Sequence, residues 1–235
     1  MSVQDRMNDY WSRRAPAYDA GQHRPEHRGR DRELWAEVWS AALPPAPADV
    51  LDLGCGSGYV TTLLAGLGHR VTGIDLADGM LEVARQRVAE LPPTTRPPRL
   101  LRGDMVAPDF PDDSFDVLAG RYVLWTLREP AAALAAWRRV LRPDGVLAMV
   151  DSTWFPDGLG GHGSEDFTGS YDDTVRAALP LAEAGSIEAS AQALRDGGFR
   201  DVEVTPLTGL LELDRAHGAA PGHDVRLQFL LTARP

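Results

Sequence analysis

Lysine is absent from this 235-residue chain: all 24 of its basic residues are arginine. That removes a P-loop lysine, a Schiff-base lysine and, with it, pyridoxal-phosphate chemistry. Cysteine occurs once, at Cys55, which excludes a disulfide framework and any multi-cysteine zinc site, and no acidic spacing supports a metal centre. No run approaches the ~20 consecutive apolar residues that cross a bilayer. The stretch from Met1 to Tyr18 is too polar and charged for a secretory signal, so the expected compartment is the cytoplasm, away from any membrane. Positive charge is scarce as well: 34 acidic residues leave a net charge of −10. Residues 1–32 carry seven Arg and five acids, residues 33–150 eleven and fifteen, and residues 151–235 six and fourteen. Most of such a surface repels a phosphate backbone, which excludes nucleic acid as a partner. What remains is ordinary for a globular α/β domain, with 43% hydrophobic and 25% charged residues.

Met7 to Leu43 reads as helical, with Leu34, Trp35 and Val38 on one face, and Pro44-Pro45-Ala46-Pro47 ends it. Strand and helix then alternate. Val50–Leu53, Arg70–Asp75, Arg99–Gly103, Phe115–Gly120 and Val146–Asp151 read as strands. Tyr59–Leu67, Asp78–Leu91 (with Asp78 as N-cap) and Ala131–Leu141 read as helices, and Arg142–Gly145 as a turn. Short connections and five alternations predict a parallel sheet covered on both faces. Ser152–Gly185 reads as an insertion, and Ser186–Gly197 as a helix. Arg200–Leu207 and Val225–Ala233 read as two closing strands, joined by a loop with one helical turn.

The informative segment is Val50-Leu51-Asp52-Leu53-Gly54-Cys55-Gly56-Ser57-Gly58-Tyr59. A buried strand runs into three glycines at alternate positions and a helix begins at once, the pattern of a backbone that turns sharply and approaches a ligand at a helix N-terminus. The dinucleotide fingerprint would place its last glycine where Tyr59 stands. Two acids complete the pattern. Asp75 closes the second strand, where a carboxylate can accept two hydrogen bonds from a ribose diol. Asp104 closes the third, with Met105 beside it as an apolar wall for a purine. Three neighbouring strand ends therefore offer contacts to one elongated ligand.

From Val50 to Phe155 the chain resembles the class I S-adenosylmethionine-dependent methyltransferases, in particular the UbiE-like small-molecule group. The resemblance rests on Leu51–Gly58, Gly73-Ile74-Asp75-Leu76 with Gly79-Met80-Leu81, Gly103-Asp104-Met105, Ser114–Val117 and Val140–Gly145, in that order. It implies a Rossmann-like, doubly wound seven-stranded sheet whose last strand is antiparallel, with an N-terminal helical lid and an insertion after the fifth strand. In one domain, residues 1–43 would be the lid, 44–151 the cofactor-binding half and 152–235 the acceptor side. It implies S-adenosylmethionine as cofactor, leaving as S-adenosylhomocysteine. Asp52, Gly54, Cys55 and Gly56 would surround its methionine half and Asp75 the ribose. Leu76, Met80, Asp104 and Met105 would meet the adenine, Arg121 would reach the sulfonium end through its backbone, and Tyr10 and Tyr18 would belong to the lid.

The expected partner is a small-molecule acceptor, met by a monomer or homodimer. Trp11, Arg14, Tyr122, Trp125 and Trp154 are the expected acceptor contacts, and their aromatic character points to a flat or cationic acceptor. Asp151, Phe155, Glu165 and Asp166 lie in the same region. His23 and His162 are the histidines placed to act as a general base, should one be needed; His69 reads as a surface residue. Two other readings stay open: a peptide or protein methyltransferase, and a nicotinamide-dependent oxidoreductase with the same opening unit.

Overall fold

The computed structural model describes residues 1–23, 28–159, 165–219 and 224–235. In chain order its helices are α1 (Val3–Gln22), α2 (Arg28–Ala42), α3 (Tyr59–Gly66), α4 (Asp78–Ala89), α5 (Pro130–Val140), α6 (Glu165–Ser170), α7 (Asp173–Ala177), α8 (Glu188–Asp196) and α9 (Thr208–His217). Its strands are β1 (Asp49–Leu53), β2 (Arg70–Asp75), β3 (Arg99–Arg102), β4 (Phe115–Arg121), β5 (Leu141–Asp151), β6 (Arg200–Pro206) and β7 (Phe229–Arg234).

The strands form one sheet in the order β3-β2-β1-β4-β5-β7-β6. The first five pair in parallel, and β7 runs antiparallel to both neighbours, the expected seven-stranded arrangement. The central strands β1, β4 and β5 are covered on both faces and buried along most of their length, whereas β3 and β6 at the sheet's edges are largely exposed. Val50 packs into the core that holds Trp39, Leu64 and Val150, while the next residue, Leu51, packs into the opposite core with Leu118, Trp137 and Leu147. Chain order reverses between β1 and β4, and there the carboxyl ends of the strands leave a crevice.

α1 roofs that crevice. Its start is fixed by a capping box: the Ser2 hydroxyl accepts from the Asp5 amide at 3.0 Å, and an Asp5 carboxylate oxygen accepts from the Ser2 amide at 2.8 Å. It lies on α4 through small residues, Ala15 packing with Ala77 and Met80. At Gly79 the two helices come so close that a Cβ would collide with the backbone of Ser12. The buried Asp19 carboxylate of α1 accepts from the Arg87 guanidinium of α4 and meets His23 Nδ1 at 3.3 Å. Burial works against its charge, but these two partners outweigh that and hold it down at about 2. On its other side α1 joins the insertion, Tyr10 packing edge-on against Phe167 and Tyr171.

Several local expectations are corrected. The helical N-terminal stretch is two helices, the first starting at Val3. Ala77, not Asp78, is the N-cap of α4; Asp78 stands in its first turn, and Asp75 Oδ1 accepts from the Ala77 amide at 2.8 Å. Arg142–Gly145 is not a turn between helix and strand but bulges within β5, which starts at Leu141, opposite a register shift between Phe115 and Val117. The segment after β6 is the ten-residue helix α9 rather than a loop, its Leu210 buried in the α2 and α3 core. His69 is buried: its Nδ1 accepts from the Ala48 amide at 3.3 Å, filling the space below β1.

Candidate functional site

The crevice is a cavity with about 770 Å³ of space not filled by atoms, open solvent at its mouth included. Four strand-end segments and α1 line it. The loop after β1 exists because its glycines accept left-handed backbone, with φ +63° at Gly54 and +52° at Gly56. A Cβ on Gly54 would lie 2.8 Å from Val123 Cγ1, whereas one on Gly56 would meet nothing nearer than Met80 Sδ at 3.9 Å. The backbone at Gly56 is thus open toward the cavity, at the point where a ligand could lie against it.

Asp75 ties this loop to β2. Its Oδ2 accepts from the Gly56 amide at 2.9 Å and its Oδ1 from the Ala77 amide at 2.8 Å. Each oxygen keeps a further lone pair for a ligand. Burial pushes its pKa up, and the two amides pull against that. Asp104 is held alike: Oδ1 accepts from the Val106 amide at 2.9 Å, and Oδ2 faces Arg128 Nη2 at 3.1 Å. Met105 is fixed from below, where the Trp137 indole donates to its carbonyl at 2.6 Å.

Of the residues expected to touch a cofactor, Tyr18, Gly54, Gly56, Asp75, Leu76, Met80, Asp104, Met105 and Arg121 line this cavity. Tyr10, Asp52 and Cys55 do not. Tyr10 is sealed in the aromatic cluster between α1 and the insertion. The Asp52 side chain turns behind the loop, where Thr61 Oγ1 donates to it at 2.5 Å. Cys55 is packed against Gly73 and Thr61, and burial pushes its thiol far up, so it is no nucleophile.

Of the expected acceptor contacts, Trp11 and Tyr122 line the cavity. Arg14 lies off it, Trp125 is buried among Tyr171 and Phe155, and Trp154 donates its indole N–H to Asp151 at 2.5 Å. The Asp151 carboxylate also accepts from the amides of Leu124 at 2.8 Å and Ser152 at 2.9 Å, which makes it a hub tying β5 to the segment after β4. His23 faces away, against the Asp19 carbonyl at 3.0 Å, and lines no part of the cavity. His162 lies outside the described residues. Gln4, Met7 and Asn8 of α1 line the cavity unforeseen. With Trp11 they fall at helical spacing on one face, a pattern already present in the sequence.

The methyltransferase-domain family matches residues 51–149. A demethylmenaquinone methyltransferase of Clavibacter sepedonicus is 31% identical over 212 residues, covering 81% of this chain and 82% of that protein. A malonyl-[acyl-carrier protein] O-methyltransferase of Serratia marcescens is 34% identical over 137 residues, 58% of this chain, and the chain spans 49% of that protein's length. Among solved structures, geranyl diphosphate C-methyltransferase of Streptomyces coelicolor A3(2) shares the fold with a TM-score of 0.67 at 17% identity, over 100% of this chain and 98% of that one.

Proposed function

This chain belongs to the class I S-adenosylmethionine-dependent methyltransferases, and on that footing we propose that its cavity holds S-adenosylmethionine and passes the methyl group to a small-molecule acceptor. The observation that carries the reading is the Asp75 carboxylate, pinned by the Gly56 and Ala77 amides and facing the cavity that the glycine loop opens. Its spare lone pairs fit a ribose diol, and the open backbone at Gly56 fits a ligand lying against the loop. Leu76, Met80 and Met105 supply apolar walls on either side of Asp104 for an adenine.

Bound S-adenosylmethionine supplies a methyl group on a sulfonium, ready for in-line displacement. The chain's own task is to align the acceptor and keep water out, and alignment by itself can contribute about 7–11 kcal/mol. Met7, Trp11 and Tyr18 of α1 form the roof that excludes water. Among the described residues no histidine lines the cavity. Burial pushes the phenols of Tyr18 and Tyr122 up, so both stay protonated donors. Asp151 spends its oxygens on N–H donors. These features support transfer by positioning to an acceptor already nucleophilic at working pH. The roof over the cavity favours a small molecule over a peptide chain.

Calorimetric titration of the purified protein with adenosylhomocysteine and with NADH tests the cofactor assignment. Binding of the first alone is expected, and binding of NADH instead would return the oxidoreductase reading. Release of adenosylhomocysteine across a panel of phenols, amines and carboxylic acids then tests transfer.

A further inference from the structure

Arg121, the last residue of β4, is a cation held among aromatic rings, with the Asp31 and Asp52 carboxylates near enough to act on it though neither is ion-paired with it. Its guanidinium carbon lies 4.3 Å from the ring centre of Tyr59, 4.7 Å from Tyr122 and 4.9 Å from Trp35. Two elements distant in sequence, α2 and α3, thus converge on it beside its own neighbour, Tyr122. Among the described residues it makes no salt bridge, and its Nη2 donates to Gln22 Oε1 at 2.5 Å. The nearby Asp31 carboxylate is engaged by the Tyr59 hydroxyl.

Aromatic rings stack on the faces of a guanidinium and leave its N–H edge unsatisfied. No nitrogen of Arg121 is both sealed and unpartnered, and the residue lines the cavity, so a ligand held there comes within reach of its guanidinium. The cage is held deliberately. Tyr122 adopts left-handed backbone, φ +62°, which an L side chain rarely takes up. Its amide donates to the Val150 carbonyl at 2.7 Å and its hydroxyl to Gln228 Oε1 at 2.5 Å, fixing the ring against the guanidinium.

We propose that the acceptor carries an oxyanion, a carboxylate or a phosphate, and that Arg121 is the residue that recognises it. The inference rests on the methyl-transfer reading above. It replaces the cationic acceptor that the sequence implies: of the aromatic residues expected to meet the acceptor, Trp125 and Trp154 lie off the cavity and Tyr122 is already occupied by the protein's own cation, which leaves Trp11. In a chain of net charge −10, a preorganised guanidinium is also what lets an anion approach the cavity at all.

The test uses protein saturated with adenosylhomocysteine, titrated with phenylacetate, phenyl phosphate, phenylacetamide and phenethylamine, probes of similar size and different charge. At least one anion is expected to bind about tenfold or more tightly than the amide, with the amine weakest. Arg121→Met should abolish that preference and Arg121→Lys should retain part of it. Wild-type protein alone decides the matter if the variants fail to fold: no preference for either anion overturns the proposal. The cofactor's own carboxylate is the competing oxyanion. If Arg121→Met lowers the affinity ratio of adenosylhomocysteine to 5′-methylthioadenosine, which lacks that carboxylate, Arg121 serves the cofactor and the proposal falls. Failure of adenosylhomocysteine to bind at all removes the methyl-transfer reading and this inference with it, whereas its binding without anion preference removes this inference alone.

Discussion

At Asp75 the loop's own amides and the proposed ribose draw on one carboxylate. Asp75→Ala removes both the ligand's acceptors and the partners of Gly56 and Ala77. Adenosylhomocysteine affinity should fall by about 1–3 kcal/mol, the cost of lost hydrogen bonds to a charged acceptor. Asp75→Asn, which keeps one acceptor oxygen, should fall less. Calorimetry that finds the alanine variant binding as tightly as wild type would put the sugar elsewhere. Gly56 gives a second test of the same contact. Its φ of +52° makes any L side chain strained there, by about 1–2 kcal/mol, and its Cβ would enter the cavity beside Met80. Gly56→Ala should therefore lose cofactor affinity well beyond its loss of stability, roughly tenfold or more. A variant whose affinity falls no further than its stability would show that the ligand does not lie against this backbone.

The roof formed by α1 belongs to the element scale, and its docking depends on how closely α1 lies on α4. Ser12 Oγ accepts from the Gly79 amide at 3.3 Å, and there is no room at Gly79 for even a methyl group. Gly79→Ala must lift α1 or distort the first turn of α4, an overpacking cost of about 1–3 kcal/mol. Hydrogen exchange should speed up across α1 while β1 and β4 keep their protection, since neither strand touches the substituted position. Uniform loss of protection would mean that α1 is part of the global folding unit rather than a separately docked roof. The Asp19–Arg87 pair acts at the same interface with a defined pH sense. A carboxylate held at about 2, below its usual ~3.9, stabilises docking above about pH 4, and that contribution is lost as pH falls toward 2.

For the molecule as a whole, what could be read from the sequence was where the chain turns and what stands at the turns. Strand ends such as Gly54, Asp75 and Asp104 were legible because parallel topology sends every such end to one edge of the sheet. Side-chain direction was not: Asp52 and Cys55 sit inside the glycine motif yet turn behind it, since the motif specifies backbone shape. The cage around Arg121 was illegible for a related reason, being assembled from α2, α3 and the segment after β4. α9 looked like a loop because its few leucines have no partner until Leu210 reaches the core under α2. The buried carboxyl of Asp52 also gives the molecule a pH signature. Burial pushes it up to about 7, although the Thr61 hydroxyl and the Arg121 charge pull the other way. In the unfolded chain it titrates near 3.9, so between about pH 4 and 7 the folded state keeps a proton that the unfolded state has released. Raising pH through that window therefore destabilises the fold. Asp151, pushed up to about 6 by burial, adds the same sign. Buried His69 opposes it: burial lowers its pKa from 6.5, so the unfolded chain takes up its proton first and stability rises with pH there. Asp52→Asn separates these effects because it removes one titration and keeps an acceptor for Thr61. Urea unfolding from pH 4 to pH 7 should show wild-type stability declining relative to the variant, the gap growing by on the order of 1–4 kcal/mol. Parallel profiles would mean that Asp52 stays ionised in the folded protein, with its charge balanced from the cavity side.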